Sequence, residues 1–203
     1  MTRIVGLSSL RRMADDALLL EVLHSLRERG AIGESSLDGA VAHAAAFVEA
    51  IPSAAVDLID LGSGGGLPGL VIAHRLPHLH VTLCDRRERR MDLLSLACAR
   101  LRITDRVDVI TGDVRQLVRE SRLQRRFDVV TARAFGDPSW TMSCAAPFLR
   151  DGGTLIVSDP PPSAGVDPQD RYPREIRELL GFSFGLTSVD RVQQLTMHSP
   201  GPA

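Results

Sequence analysis

The chain has 203 residues, 44% of them apolar and 24% charged, a composition that suits one globular domain with an appendage and excludes a wholly disordered chain. Lys and Arg together number 24 and Asp and Glu 25, a net charge of −1, which excludes a protein held on nucleic acid by bulk charge but allows a local basic patch. Every basic residue is Arg, so chemistry that needs a lysine nucleophile, a Schiff base or a P-loop lysine is excluded.

No apolar run approaches the roughly 18 residues of a membrane span. The first twenty residues hold no apolar core leading to a small-residue cleavage site, so neither a span nor an export signal is expected. Cys84, Cys98 and Cys144 are odd in number, far apart and free of any CxxC pair. They suggest buried thiols in a reducing, cytoplasmic setting rather than disulfides or a zinc site.

In chain order, residues 8–29 predict an amphipathic helix, with Leu10, Met13, Ala17, Leu20, Leu23 and Leu26 at spacings of three and four. Ser35 or Ser36 is expected to cap a second helix through Val41, Ala45 and Val48, stopped by Pro52. Residues 1–52 thus read as a helical extension, and residues 53–203 as the main domain. There the pattern changes to short apolar strands alternating with helices. Strands are predicted at 56–61, 80–85, 107–111, 127–131 and 153–158. Helices are predicted at 68–75, 87–101, 114–122 and 138–149. A Pro-, Gly- and Asp-rich loop follows at 159–170, then a helix at 173–180 and strands at 182–190 and 192–198. Strands this apolar need cover on both faces. The expected fold is α/β: a doubly wound, mostly parallel, seven-stranded Rossmann-like sheet.

The most specific stretch is DLGSGGGLPG, residues 60–69, directly after the first strand. Gly64, Gly66 and Gly69 satisfy G-x-G-x-x-G, and an acid, Asp85, ends the second strand about 20 residues on. Two cofactor classes fit that pattern, a dinucleotide and S-adenosylmethionine. Asp60 separates them. A carboxylate beside the turn would repel a pyrophosphate by about 1–4 kcal/mol and attract a sulfonium and an ammonium. The spacing Asp60-x-Gly62-x-Gly64-x-Gly66 also suits an aminoacyl arm lying on bare backbone. The methyl donor is therefore the expected cofactor.

Residues 60–73, DLGSGGGLPGLVIA, closely resemble the first motif of the bacterial glucose-inhibited division protein B family, and Leu67-Pro68-Gly69 sets that family apart from methyltransferases at large. Thr131-Ala132-Arg133-Ala134-Phe135 and Gly112-Asp113-Val114-Arg115 are further matches, within a resemblance spanning about residues 43–157. The resemblance implies a class I methyltransferase acting on guanine N7 in small-subunit ribosomal RNA. It places Gly62 and Leu67 at the methionine and sulfonium end and Val114-Arg115, beside Asp113, at the adenine. It places Arg133 at the cofactor or the incoming base. Asp85 on the ribose follows the general class I pattern. The chain departs from the family in lacking its Trp-Asn and Asn-Leu-Thr signatures, in reading Ile156-Val157-Ser158-Asp159 where members carry a lysine, and in holding Arg115 where members place an acid. A small-molecule methyltransferase and a non-catalytic cofactor-binding protein of the same fold stay open as alternatives.

N7 carries an available lone pair, so no general base is required and no catalytic residue is identified. His74 and His78 have a metal-pair spacing, but Pro77 lies between them and no metal is expected. DPPP at 159–162 reads as a rigid turn. Arg11-Arg12 and the cluster Arg86, Arg87, Arg89 and Arg90 are either solvated helix faces, the latter with Glu88 and Asp92, or contacts for RNA phosphates. Phe135 and Trp140 stand where a base could stack.

Overall fold

The computed structural model describes residues 7–33, 36–158, 171–189 and 192–198. Ser35 and the loop 159–170 with its DPPP run lie outside the described residues, as do the side chains of Leu10, Arg11, Arg12 and Met13. The strands are β1 (Asp57–Leu61), β2 (His80–Asp85), β3 (Val107–Thr111), β4 (Phe127–Ala132), β5 (Leu149–Ser158), β6 (Phe182–Val189) and β7 (Val192–Met197). The helices are α1 (Leu7–Glu28), α2 (Leu37–Ala50), α3 (Gly69–Arg75), α4 (Glu88–Leu101), α5 (Val114–Leu117), α6 (Pro138–Ala145) and α7 (Arg174–Leu180).

The sheet order is β3-β2-β1-β4-β5-β7-β6. The first five strands are parallel, and β7 runs antiparallel between β5 and β6. Alternate strand residues feed two apolar layers. Leu58, Leu83, Val129 and Ile156 pack under α1 to α4, whereas Ile59, Cys84, Val130 and Leu155 pack with Met142, Phe148 and Phe182. That period of two, apolar on both faces, is what a doubly covered sheet demands. The three cysteines are buried and free.

The helical extension is joined to the main domain by packing. Leu19, Val22, Leu23 and Leu26 of α1 share one apolar cluster with Leu70 of α3 and Leu94 of α4. Asp16 meets His74 at 3.3 Å and Arg75 at 3.4 Å, and Glu21 meets Arg100 at 2.8 Å. His74 therefore serves a helix–helix contact. Among the described residues no three His, Cys, Asp or Glu side chains gather to hold a metal, and no helix is long and apolar enough to cross a membrane.

Four sequence expectations are corrected. The buried stripe of α1 is Leu19, Val22, Leu23 and Leu26, whereas Leu20 is 39% exposed and Ala17 is exposed. Three consecutive leucines leave the helix phase open, and packing against α4 decides it. The helix expected over 114–122 stops at Leu117, because the run Arg119-Glu120-Ser121-Arg122 offers no apolar residue to bury. The helix expected over 138–149 ends at Ala145, where Pro147 turns the chain into a short 3-10 segment, Ala146–Phe148. As a result β5 starts at Leu149 rather than at residue 153, pairing Leu149 with Phe127 ahead of a register shift.

Asp128 anchors the edge of the core. Its Oδ2 accepts from the Val56 amide at 2.6 Å and the Asp57 amide at 2.9 Å, and its Oδ1 lies 2.5 Å from Arg150 Nε. Asp128→Ala is expected to destabilise the fold by about 1–3 kcal/mol, because the amide at the start of β1 loses its partner. A urea unfolding midpoint unchanged from the parent chain would contradict this.

Candidate functional site

Sheet order reverses between β1 and β4, and the crevice at their carboxyl ends is where open α/β sheets bind ligands. A cavity of about 560 Å³ opens there, within the usual range for small-molecule sites. Gly62, Gly64, Leu67, Asp85, Asp113, Val114, Arg115 and Arg133 all line it. Asp60 and Gly66, expected beside them, do not.

The turn after β1 is knitted to β2 by Ser63. Its amide donates to the Cys84 carbonyl at 2.9 Å, and its hydroxyl donates to the Asp60 carbonyl at 2.9 Å and accepts from the Cys84 amide at 3.1 Å. Gly62 stands at φ +69°, and a Cβ there would lie 2.7 Å from Phe135 Cδ2, so the Phe135 ring packs on bare backbone. Gly65 meets a different neighbour. A Cβ there would lie 2.6 Å from the Ala31 carbonyl, so this glycine admits the connection between α1 and α2. Ala31, Ile32 and Gly33 form a wall of the cavity. That long-range contact was not foreseen. Its local signal is the middle glycine of Gly64-Gly65-Gly66, which the cofactor spacing does not require.

Asp85 ends β2 with both carboxylate oxygens engaged. Oδ2 accepts from the Gly64 amide at 3.1 Å and Oδ1 from the Arg87 amide at 2.9 Å. Each oxygen keeps a further lone pair for a ligand hydroxyl. Asp113 caps α5 by accepting from the Arg115 amide at 2.9 Å and holds the Arg115 guanidinium through Nε at 2.8 Å and Nη2 at 2.6 Å. Arg115, with a smaller contribution from the charge of Arg86, keeps this carboxyl below the usual carboxylate range. Arg115 thus presents a planar guanidinium locked by its own acid.

Asp60, expected as a cofactor-binding carboxylate beside the turn, does not reach the cavity. It is 1% exposed and sits beneath the glycine turn, where Thr131 Oγ1 donates to its Oδ1 at 2.7 Å. Burial pushes its carboxyl up to about 6, against the opposing pull of the Thr131 hydroxyl, the Gly69 amide and the charge of Arg133. Asp60 acts on the cavity through its field and not by contact. Gly66 is likewise buried, against Leu70 and Leu94.

A second cavity of about 890 Å³ adjoins the first and shares Ala40, Arg133, Ala134 and Phe135 with it. Its other walls come from α2 and its capping residue (His43, Ser36), α6 (Thr141), the end of β5 (Val157, Ser158) and Tyr172. The segment Arg133-Ala134-Phe135 is the partition between the two spaces. Ala134 holds φ +50°, a backbone state that non-glycine residues seldom adopt and that clusters at functional sites. His43, Thr141 and Tyr172 were not singled out in the sequence, because they come from three separate elements. Trp140 lines the first cavity and is 41% exposed.

The sequence profile of the GidB family, described as rRNA small subunit methyltransferase G, matches residues 34–158. The chain is similar to the ribosomal RNA small subunit methyltransferase G of Burkholderia thailandensis, 37% identical over 102 residues, or 50% of this chain and 44% of that protein. It is similar to the protein of the same name from Thermobifida fusca, 39% identical over 112 residues, or 55% of this chain and 45% of that one. The matched stretch thus spans about half the length of these curated relatives. In overall fold the chain is similar to an O-methyltransferase from Bacillus cereus solved in complex with SAH, with a TM-score of 0.63, 18% identity and coverage of 89% and 90% of the two chains.

Asp60 also sets a pH dependence. The unfolded chain releases this proton near pH 4 and the folded chain near pH 6, so the folded state binds more protons between those values. Its contribution is fully present below about pH 4 and lost as pH rises through about 6, an order of 3 kcal/mol in all. Relative to Asp60→Asn, the parent chain should therefore lose stability across that window in urea unfolding. A stability difference that stays flat from pH 4 to pH 7 would show that the carboxyl titrates normally.

Proposed function

The chain belongs to the rRNA small subunit methyltransferase G family, and on that premise we propose that it is a cytoplasmic S-adenosylmethionine-dependent methyltransferase acting on N7 of a guanine in small-subunit ribosomal RNA. The observation that carries this reading is the pair of cavities meeting across the Arg133–Phe135 partition at the carboxyl edge of the sheet. One suits a nucleoside with an amino-acid arm, and the other, broad and bordered by aromatic side chains, suits a base.

The residues present fit the cofactor. Asp85 retains lone pairs for the ribose hydroxyls, Gly62 borders the amino-acid arm, and Val114 with Arg115 borders the adenine end. When bound, S-adenosylmethionine supplies a methyl group activated by a sulfonium. Guanine N7 attacks through its lone pair and has no proton to surrender, so the protein's task is to align donor and acceptor and to exclude water. Alignment of this kind is worth up to about 7–11 kcal/mol. Phe135, seated on Gly62 and shared by both cavities, fixes the separation of the two ligands. Arg133 borders both spaces and is placed to hold an acceptor oxygen or the cofactor carboxylate.

Radiolabelled S-adenosylmethionine incubated with small ribosomal subunits lacking the modification should label the RNA, and nuclease digestion should return 7-methylguanosine. Label in a small molecule alone, or cofactor binding with no transfer to subunits, would overturn the ribosomal substrate. Asp85→Ala should weaken cofactor binding by about 1–3 kcal/mol in calorimetry, because the ribose loses a charged acceptor. Unchanged affinity would remove Asp85 from the site.

A further inference from the structure

Eight arginines of the described residues sit against acids, among them Arg75 with Asp16, Arg100 with Glu21, Arg126 with Asp57 and Arg150 with Asp128, whereas Arg29, Arg102 and Arg119 do not and line neither cavity. Of the four at the start of α4, three combine the lack of an acid with a place at the first cavity. Arg86, Arg87 and Arg89 are exposed and Arg90 is half-buried, and none reaches an acid within ion-pair distance among the described residues. Glu88 and Asp92, the partners offered by the sequence, form no ion pair with them. Asp85, between the glycine turn and α4, has its carboxylate turned to the backbone amides of Gly64 and Arg87.

Three of the four, Arg86, Arg87 and Arg90, line the first cavity, and the charge of Arg86 is felt at Asp113 on the opposite side. The proposed cofactor does not account for them, since its sulfonium and ammonium outweigh its single carboxylate. Nor does the fold, since cations at the start of a helix oppose its dipole. Unpaired guanidinium groups on one rim match a run of phosphodiester oxygens, which arginine binds in bidentate fashion.

Resting on the function proposed above, we infer that Arg86, Arg87 and Arg90 form a docking edge for the phosphate backbone of the RNA strand whose target base enters the second cavity. The strand then crosses the mouth of the cofactor cavity, and its phosphates close that cavity with charge the cofactor lacks. Arg89 carries the same charge but does not line the cavity, so it stands outside the edge.

The test measures binding of deproteinised small-subunit ribosomal RNA across a salt series, together with cofactor affinity and methyl transfer. Arg86→Glu/Arg87→Glu should lower RNA affinity at least about fivefold at low salt and flatten the slope of log affinity against log salt by about 1–2. Its cofactor dissociation constant should not rise more than about twofold, which also shows that the variant folds. Arg89→Glu should leave the slope close to that of the parent chain. If the parent methylates RNA and the double variant keeps its slope, the docking edge is overturned and the function stands. If the double variant loses the cofactor instead, these arginines belong to the cofactor site and the edge is again overturned. If the parent neither binds nor methylates the RNA, the proposed function falls and the edge with it.

Discussion

One side-chain hydrogen bond, from the Thr131 hydroxyl to the Asp60 carboxylate at 2.7 Å, reinforces the backbone pairing of β1 with β4 where the sheet order reverses. Both cavity-forming segments start from these two residues. The glycine turn leaves β1 two residues after Asp60, and the Arg133–Phe135 partition leaves β4 two residues after Thr131. Fixing the pair from beneath sets how far apart turn and partition stand, and the Phe135 ring closes the gap by packing on Gly62. The bond is out of water, so its geometry is not diluted by competing solvent partners.

Three acids then divide the work by depth. Asp60, buried, stabilises the turn and lends the cavity floor a negative field. Asp85 is half-buried and shapes the turn after β2 while keeping capacity for a ligand. Asp113 is spent on Arg115, which turns an acid into a platform for a guanidinium. The rim carries the opposite sign, in Arg86, Arg87 and Arg90. Under the proposed function, a floor that disfavours phosphate beneath a rim that favours it would sort ligands by depth: a cationic nucleoside inside, a polyanion across the mouth.

Much of this was legible in the sequence because it is local. Strand β2 runs over His80–Asp85 as its apolar run dictates, and Met91, Leu94, Ala97, Cys98 and Leu101 of α4 bury as their spacing requires. The eight expected cavity residues lie at or just after the carboxyl ends of β1 to β4, so strand order alone brings them together. What was not legible is non-local. The charge of Asp60 is visible in the sequence, but its burial depends on Thr131, 71 residues away. The wall from Ala31 to Gly33 is set by a helix pair that the local pattern presents as an appendage. The early end of α6 could have been read at Pro147, where the apolar spacing outweighed the breaker.

The helix pair borders both cavities, with Ala31 to Gly33 on the first and Ser36 and His43 on the second. It is also the part of the chain where the family's Trp-Asn and Asn-Leu-Thr signatures are missing, whereas the glycine turn keeps the family pattern from Asp60 to Gly69. The glycine turn is held from below by the sheet and from above by Ala31 on Gly65, so it tolerates little change. The second cavity takes its wall from the first half of α2, where Ala40 and His43 are themselves buried and the His43 ring meets Phe47 edge-on at 5.6 Å. Under the proposed function, the cofactor and the acceptor are therefore both constrained by the core of the fold, the first through Gly65 beneath Ala31 and the second through His43 on Phe47.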